Sequence, residues 1–250
     1  MAQGSVIGLV PARSGSKGVP RKNLADLAGF PLVAYSIVAA LEAGSIDRVI
    51  VTTDSEEIAE VGRRYGAEVP FLRPAELSTD NSLDIDYVRH ALDWLAADEG
   101  ATPELVVQLR PTTPLREPER VDEAVGALRA RPDATGLRSV HRLAEPPQKM
   151  LGIDDGLLTG LFSDDPRPEY FNLPRQAFPP AYWPNGYVDV VRVLTVEQEG
   201  GALYGSRVLA FVTPAVVEID GPEELDYVRY GVERTGHPLV DLLRAGAGDG

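Results

Sequence analysis

Apolar runs of strand length alternate with segments of helical periodicity through the first half of the chain. Residues 5–10, 48–53 and 105–109 are short apolar runs of the kind found in buried strands. In the segments between and after them, apolar residues recur at helical spacing, within residues 31–41, 58–65, 85–95 and 121–128. This alternation predicts an α/β fold with a mostly parallel sheet covered by helices.

Local signals set several boundaries. Pro31 lies at a first helical turn, where proline is favoured. Asp54 is predicted to cap the helix that contains residues 58–65, and Gly66 to end it. Further predicted elements are strands at 188–193 and 208–212, a helix from 222 to 234 and a frayed tail from Gly246.

Residues 143–184 interrupt this rhythm, because eight prolines fall within them. Proline disfavours helices and central strands, and the segment is too long for a plain connector. We expect an irregular or hairpin-rich excursion that serves as a lid or a dimer arm. Residues 1–250 are otherwise predicted to form a single domain.

Composition narrows the function. The 250 residues carry a net charge of −14, which disfavours nucleic acid and anionic membranes as partners. The absence of cysteine excludes disulfides and thiolate metal sites. No apolar run approaches the roughly 20 residues of a membrane span, and the amino terminus lacks a secretory pattern. We therefore expect a cytoplasmic protein.

A basic loop, residues 9–23, directly follows the first predicted strand. It holds Arg13, Lys17 and two further cations, so residues 1–25 carry +4 against −18 for the rest of the chain. Gly15 and Gly18 allow tight turns that aim backbone N–H groups at an anion. The loop matches neither a Walker P-loop nor a dinucleotide fingerprint. It predicts a phosphate site at the carboxyl end of a strand, and a solvated basic loop is the alternative.

Two parts of this loop, residues 11–18 (PARSGSKG) and 20–23 (PRKN), resemble the nucleotide-binding motif of the acylneuraminate cytidylyltransferases, the CMP-sialic acid synthetases. Later segments resemble the same family in order, so the similarity covers roughly residues 5–235. These segments are 54–60, 66–74, 79–82, 111–116, 174–176, 184–186 and 218–220.

The resemblance implies a Rossmann-like nucleotidyltransferase fold with a small dimerisation lobe. It implies an enzyme that transfers CMP from CTP to a small acidic acceptor, a sialic acid or a related nonulosonic acid, and releases pyrophosphate. It also implies Mg²⁺ as cofactor and a homodimer as assembly. Such a reaction depends on charge neutralisation and positioning more than on covalent chemistry.

The same resemblance implies roles for individual residues. Catalysis would depend on Arg13, Lys22 and Asp220, and the metal would bind Asp220 and Glu218. The nucleotide-binding set is Ala12, Arg13, Ser14, Ser16, Lys17, Lys22, Asn23, Arg73 and Ser82, of which Asn23, Arg73 and Ser82 would read the cytidine. The acceptor-binding set is Arg110, Lys149, Arg175, Gln176, Trp183 and Asn185.

The spacing of Glu218 and Asp220 fits the metal independently. Side chains two residues apart on a strand point to the same side, and Mg²⁺ takes one or two carboxylates with phosphate oxygens and water. Without the resemblance, these residues would more often form an exposed strand edge running into a helix cap.

Two residues depart from the family's pattern and concern the acceptor. Arg110 stands where the family usually has glutamine, and Trp183 where it often has arginine. We predict that Arg110 clamps an acidic group of the acceptor, since a guanidinium forms a planar fork for carboxylates. Trp183 would supply a flat apolar wall. The alternative is that Arg110 pairs with a structural carboxylate.

Other functions stay open from sequence. The chain could use another nucleotide, such as GTP, on the same fold. The acceptor could be a keto-deoxy sugar acid or a phosphonate. A non-catalytic nucleotide-binding protein is a further alternative, which the intact cations of the loop disfavour.

Overall fold

The computed structural model describes residues 4–162, 164–198 and 201–246, and its centre is a six-stranded sheet with helices on both faces. The strands are β1 (Val6–Pro11), β2 (Asp26–Leu27), β3 (Phe30–Pro31), β4 (Arg48–Thr52), β5 (Leu105–Gln108), β6 (Gly136–Arg142), β7 (Leu151–Asp154), β8 (Leu157–Gly160), β9 (Tyr182–Arg192) and β10 (Val208–Val212). The α-helices are α1 (Leu32–Glu42), α2 (Glu56–Arg64), α3 (Asp84–Glu99), α4 (Pro118–Arg129), α5 (Val193–Gln198), α6 (Pro222–Thr235) and α7 (Pro238–Gly246).

The central sheet has the order β10-β6-β9-β5-β1-β4. β1 pairs in parallel with β4 and β5, and β10 pairs in parallel with β6. β9 lies antiparallel between β5 and β6. The prediction of an α/β fold with a mostly parallel sheet is confirmed, and the carboxyl ends of β1, β4 and β5 meet at one edge.

Alternate residues of β1 enter two different apolar clusters. Val6 and Val10 pack with residues of α1 and α4. Ile7 and Leu9 face the opposite side, in a cluster with residues of α3 such as Val88. Because both faces are covered, the strand is a continuous apolar run, as expected for a buried parallel strand. This packing fixes the loop that follows Pro11.

Several boundaries differ from the predictions. α2 is capped by Ser55, whose hydroxyl accepts a hydrogen bond from the Ile58 N–H, so the prediction of Asp54 as the cap is wrong. Asp54 instead accepts hydrogen bonds from Ser14. β6 and α7 were not predicted. Gly246 is the last residue of α7, and the predicted tail beyond it lies outside the described residues.

The proline-rich segment contains the predicted hairpin, formed by β7 and β8. Its carboxyl boundary is wrong, however, because β9 begins at Tyr182 and is a central strand. Pro184 is tolerated there for a geometric reason. It faces Val140 of β6, whereas the pairing of β9 with β5 is confined to residues 189–192. Pro184 therefore lies where β9 extends beyond β5, outside the fully paired interior.

The β7–β8 hairpin leaves apolar side chains exposed, including Ile153, Leu157 and Leu158. Exposed apolar side chains grouped on one element are uncommon on a lone domain and are typical of interaction surfaces. Among the helices in the described ranges, none combines the length and apolar character needed to cross a membrane.

Candidate active site

A cavity of about 330 Å³ opens at the sheet edge where β1 and β5 end. Three segments and one distant residue enclose it: the basic loop, the stretch from Arg73 to Tyr87, residues 110–112, and Asp220. Its walls include Arg13, Gly15, Ser16, Lys17, Lys22, Asn23, Arg73, Asp80, Ser82, Asp84, Arg110, Thr112 and Asp220. The structure thus brings together most of the predicted nucleotide-binding residues, Arg110 and one of the two predicted metal ligands.

The basic loop folds on itself before it reaches the cavity. The Ser16 hydroxyl donates to the Val19 carbonyl and accepts from the Lys22 N–H, at 3.1 Å for the second bond. Arg21 has left-handed backbone dihedrals, with φ of 55°. At Gly18 a Cβ atom would lie 1.7 Å from the Asp220 carbonyl oxygen, so only glycine fits. The loop and residue 220 are therefore in direct backbone contact.

The cations of the loop all have carboxylate partners. Asp80 lies 2.9 Å from Arg13 Nη2 and 2.6 Å from Lys17 Nζ, oxygen to nitrogen. Lys22 Nζ donates to the Ile219 carbonyl at 2.8 Å and lies 3.4 Å from an Asp220 oxygen. Arg21 pairs with Glu57 outside the cavity.

Two predicted nucleotide-binding residues, Ala12 and Ser14, hold the loop in place and do not line the cavity. Ala12 is fully buried and donates its N–H to Thr52 at 3.0 Å. Ser14 donates its N–H and hydroxyl to Asp54, at 2.7 and 2.6 Å. These contacts tie the loop to the end of β4.

Arg73, also in the cavity wall, is only 5% exposed, yet its Nε and Nη2 atoms have no hydrogen-bond partner among the described residues. Burial lowers the pKa of this guanidinium, with Asp54 and Tyr87 acting in the other direction. Nearby, the Asn23 amide donates to the Arg13 carbonyl at 2.8 Å, and Ser82 bonds within its own loop. Because buried polar groups normally have partners, Arg73 is available for a ligand.

Arg110 lies at the cavity wall with its guanidinium fixed. Its Nη1 donates to Asp189 at 2.7 Å, and its Nη2 donates to Asp84 at 2.5 Å. Tyr204 also donates its hydroxyl to Asp189, at 2.9 Å, and burial raises the pKa of this tyrosine to about 12. Arg110 therefore pairs with structural carboxylates, as the alternative to an acceptor clamp predicted. It nevertheless lines the cavity.

Arg116, in the segment that follows, is fully buried and has no carboxylate partner among the residues that the structure describes. It donates to the Arg110 carbonyl at 2.8 Å, the Tyr187 carbonyl at 2.9 Å and the Ser36 hydroxyl at 2.6 Å. Burial lowers the pKa of Arg116 to about 9. It anchors the backbone that carries Arg110.

The other predicted acceptor residues lie elsewhere in the described chain. Lys149 donates to the Leu173 carbonyl at 3.0 Å. Arg175 and Gln176 line a second cavity of about 570 Å³ at the base of the proline-rich segment. Trp183 is exposed and pairs in register with His141 of the neighbouring strand β6. Asn185 is buried, and its side-chain amide donates to the Thr213 hydroxyl at 2.7 Å. Within one chain, these residues do not join the first cavity.

The predicted metal residues lie in an irregular segment after β10, so their placement on a strand end is wrong. Alternation nevertheless holds, since Ile219 is buried between exposed Glu218 and Asp220. Asp220 lines the cavity, whereas Glu218 accepts from the Thr112 hydroxyl at 3.2 Å and is not part of its wall. No group of three or more metal-binding side chains occurs among the described residues. Asp220 fits a Mg²⁺ ion that takes its other ligands from phosphates and water.

Sequence reasoning missed three residues of this site: Asp80, Asp84 and Asp189. Asp80 and Asp84 lie in and beside the segment 79–82, which resembles the family, so their position was a usable signal. Asp189 lies in β9 and is fully buried, which is not expected of a carboxylate. Its partners Arg110 and Tyr204, which lie elsewhere in the sequence, explain it.

The basic loop, the cavity at the sheet edge and the buried Arg73, whose Nε and Nη2 have no hydrogen-bond partner among the described residues, are typical of a nucleotide-binding protein of the α/β class. The chain belongs to the cytidylyltransferase family, whose sequence model matches residues 7–151. The resemblance seen in the loop is thereby confirmed.

Individual relatives agree with this assignment. The chain is 36% identical over 183 residues to the N-acylneuraminate cytidylyltransferase of Escherichia coli, covering 73% of this chain and 41% of that protein. It is 42% identical over 122 residues to the CMP-N,N'-diacetyllegionaminic acid synthase of Legionella pneumophila, covering 48% of this chain and 51% of that protein. The chain thus spans about half the length, or less, of these curated relatives.

A solved structure with the same fold is a CMP:2-keto-3-deoxy-manno-octonic acid synthetase complexed with CTP. The TM-score is 0.68 at 18% sequence identity, over 92% of this chain and 99% of that one. At this identity the similarity concerns the fold, and it confirms the nucleotidyltransferase architecture.

Proposed function

We propose that this chain transfers CMP from CTP to a small acidic sugar, a sialic acid or a related nonulosonic acid, and releases pyrophosphate. Membership of the cytidylyltransferase family supports the nucleotide. The names of relatives that act on N-acylneuraminate and diacetyllegionaminic acid support the acceptor class. The proposal places the reaction in the cytoplasm, and cell fractionation would check that location.

The observation that carries this proposal is the buried guanidinium of Arg73, which lines the same cavity as the loop cations. A cytosine ring offers a carbonyl oxygen and a ring nitrogen as acceptors, which match the free N–H groups of Arg73. Arg13, Lys17 and Lys22 match the triphosphate in charge. One cavity thus holds donors suited to both ends of CTP.

The residues of the chain would bind and orient the reactants. Lys22 and Arg13 contact phosphate oxygens and neutralise the charge that grows as the acceptor hydroxyl attacks the α-phosphorus and pyrophosphate departs. Thr112 and the fixed Arg110 face the space beside them. Magnesium, held by Asp220 with Glu218 in support, would supply further charge neutralisation.

The proposal includes a homodimer, with residues 143–181, the segment before β9, as the arm. The exposed apolar residues of the β7–β8 hairpin support it. A partner's arm would also explain why Lys149, Arg175 and Gln176 lie apart from the first cavity. Changing both Leu157 and Leu158 to Asp should yield a monomer by light scattering, whereas Leu194→Asp, at another exposed leucine, should stay dimeric. A monomeric parent protein would contradict the dimer.

The activity is tested by pyrophosphate release, with each of the four nucleoside triphosphates, Mg²⁺ and a panel of acidic sugars. We expect release with CTP and a nonulosonic acid. Release with GTP, or with a keto-deoxy sugar acid or a phosphonate, would instead support the corresponding alternative. No release with any pair would favour a non-catalytic nucleotide-binding protein.

Two variants test which residue contacts the base of the nucleotide and which contacts the acceptor. Arg73→Ala should weaken CTP binding but leave inorganic tripolyphosphate binding unchanged, because tripolyphosphate lacks the base. Arg110→Gln should raise the KM of the acceptor more than that of CTP if Arg110 is a clamp. Equal effects on both KM values would leave Arg110 with its structural role alone.

A further inference from the structure

Asp80 occupies the place where the loop cations face the cavity. Its two oxygens separately contact Arg13 Nη2 at 2.9 Å and Lys17 Nζ at 2.6 Å, and all three residues line the cavity. These two cations hold the pKa of Asp80 below its ordinary value, with the Lys17 contact as the larger cause. A carboxylate that bridges two cations in this way resembles two oxygens of a phosphate in charge and reach.

Of the other acidic partners of the loop, Asp220 also lines the cavity but lies near only one loop cation, Lys22. Glu57 and Asp54 do not share the position of Asp80. Glu57 pairs with Arg21, and neither residue lines the cavity. Asp54 accepts hydrogen bonds from Ser14 and also lies outside the wall. Asp80 therefore differs from them in that its partners are cavity cations with a proposed role in phosphate binding.

Asp80 sits in a short turn that other contacts hold together. The Ser82 hydroxyl accepts from the Thr79 N–H at 2.9 Å and donates to the Glu76 carbonyl at 3.3 Å. Asp80 itself is half exposed and makes its side-chain contacts only with Arg13 and Lys17 among the interactions described for these residues. The turn can thus keep its shape when those contacts are exchanged.

We propose that Asp80 is an internal competitor of the triphosphate, a positioning residue that holds Arg13 and Lys17 until phosphate oxygens replace its carboxylate. The inference rests on the proposed function, because it takes the loop to be the phosphate site. Without a bound phosphate, the Asp80 carboxylate offsets the repulsion between the positive charges of Arg13 and Lys17. When pyrophosphate leaves, it recaptures both cations, which limits how tightly that product is retained.

The test measures binding of inorganic tripolyphosphate by calorimetry to the full chain and to Asp80→Asn. Removing the competing charge should tighten binding by roughly three- to tenfold, the scale of two exposed ion pairs. The gain should shrink at high salt and in a Lys17→Met background, since Asp80 acts through that cation. A merely structural role for Asp80 would weaken binding instead.

Glu57→Gln is the matched control, because it removes one carboxylate from the same loop without freeing a cavity cation. Equal tightening in both variants, or unchanged or weaker binding in Asp80→Asn, would overturn the competitor role while the proposed function stands. If neither tripolyphosphate nor CTP bound to any of these proteins, the phosphate site itself would be wrong. Unchanged thermal unfolding would confirm that the variants are folded.

Discussion

Two arginine–carboxylate arrangements border the same cavity and differ in burial. At the loop, Lys17 and Asp80 have side chains 82% and 42% exposed, and Arg13 shares their contact. At the facing wall, Arg110 is 16% exposed and its partner Asp189 is fully buried. The chemistry is the same in both places, but the pair of Arg110 with Asp189 is far less exposed to water than the loop pairs.

This difference separates pairs that a ligand can exchange from pairs that hold the fold. Exposed ion pairs contribute about 0–1 kcal/mol, so phosphate oxygens can displace them. Breaking a buried pair by removing one partner typically costs about 3–5 kcal/mol, because a charge is left without compensation. The loop cations are therefore suited to binding, and Arg110 to shaping the wall.

The largest expected effect is a loss of kcat when the exposed residue Asp220 is changed. Asp220→Asn keeps the shape and removes the charge proposed for the metal, so kcat should fall by roughly a thousandfold or more. The melting temperature should not change, because Asp220 is exposed. Normal turnover of this variant with Mg²⁺ would place the metal elsewhere.

The buried side should instead respond in stability. Asp189→Asn leaves Arg110 without its buried partner, and we expect the free energy of unfolding to fall by about 3 kcal/mol in chemical denaturation. The double variant with Arg110→Gln should recover part of this loss, since both charges are then gone. Additive losses in the double variant would contradict a coupled pair.

A smaller effect is expected for Lys22→Ala. A charge-assisted contact to phosphate is worth about 1.5–3 kcal/mol, which corresponds to roughly a tenfold to hundredfold loss in kcat/KM for CTP. The unfolding curve should stay close to that of the parent. Unchanged kinetics would remove the loop from the nucleotide site.

The smallest effect is expected for Glu57→Gln, whose partner Arg21 lies outside the cavity. Steady-state kinetics with CTP should change by less than about twofold, since the pair is exposed. A large loss of activity would mean that Arg21 reaches the nucleotide, and the contrast between cavity and non-cavity cations would fail.

Much of the architecture was predictable because local pattern and burial coincide. β1, β4 and β5 are covered on both faces, so their apolar runs were unambiguous. The phosphate loop was also visible, since its glycines and cations are contiguous in sequence. Predictions failed where a distant partner decides the structure.

β9 shows why the rest could not be read from sequence. Its start in a proline-containing segment depends on how far it extends beyond β5. Asp189 reads as a polar break in an apolar run, but the strand continues because Arg110 and Tyr204 satisfy the carboxylate. Likewise, the family resemblance singled out Lys149 and Arg175 without showing that one chain keeps them away from the cavity.

The contact between Gly18 and the Asp220 carbonyl determines when this part of the cavity can form during protein synthesis. The two residues lie about 200 positions apart in the chain, so this corner of the cavity cannot form on the ribosome until residue 220 has emerged. A nucleotide that depends on this corner would therefore stabilise the chain only after residue 220 has emerged.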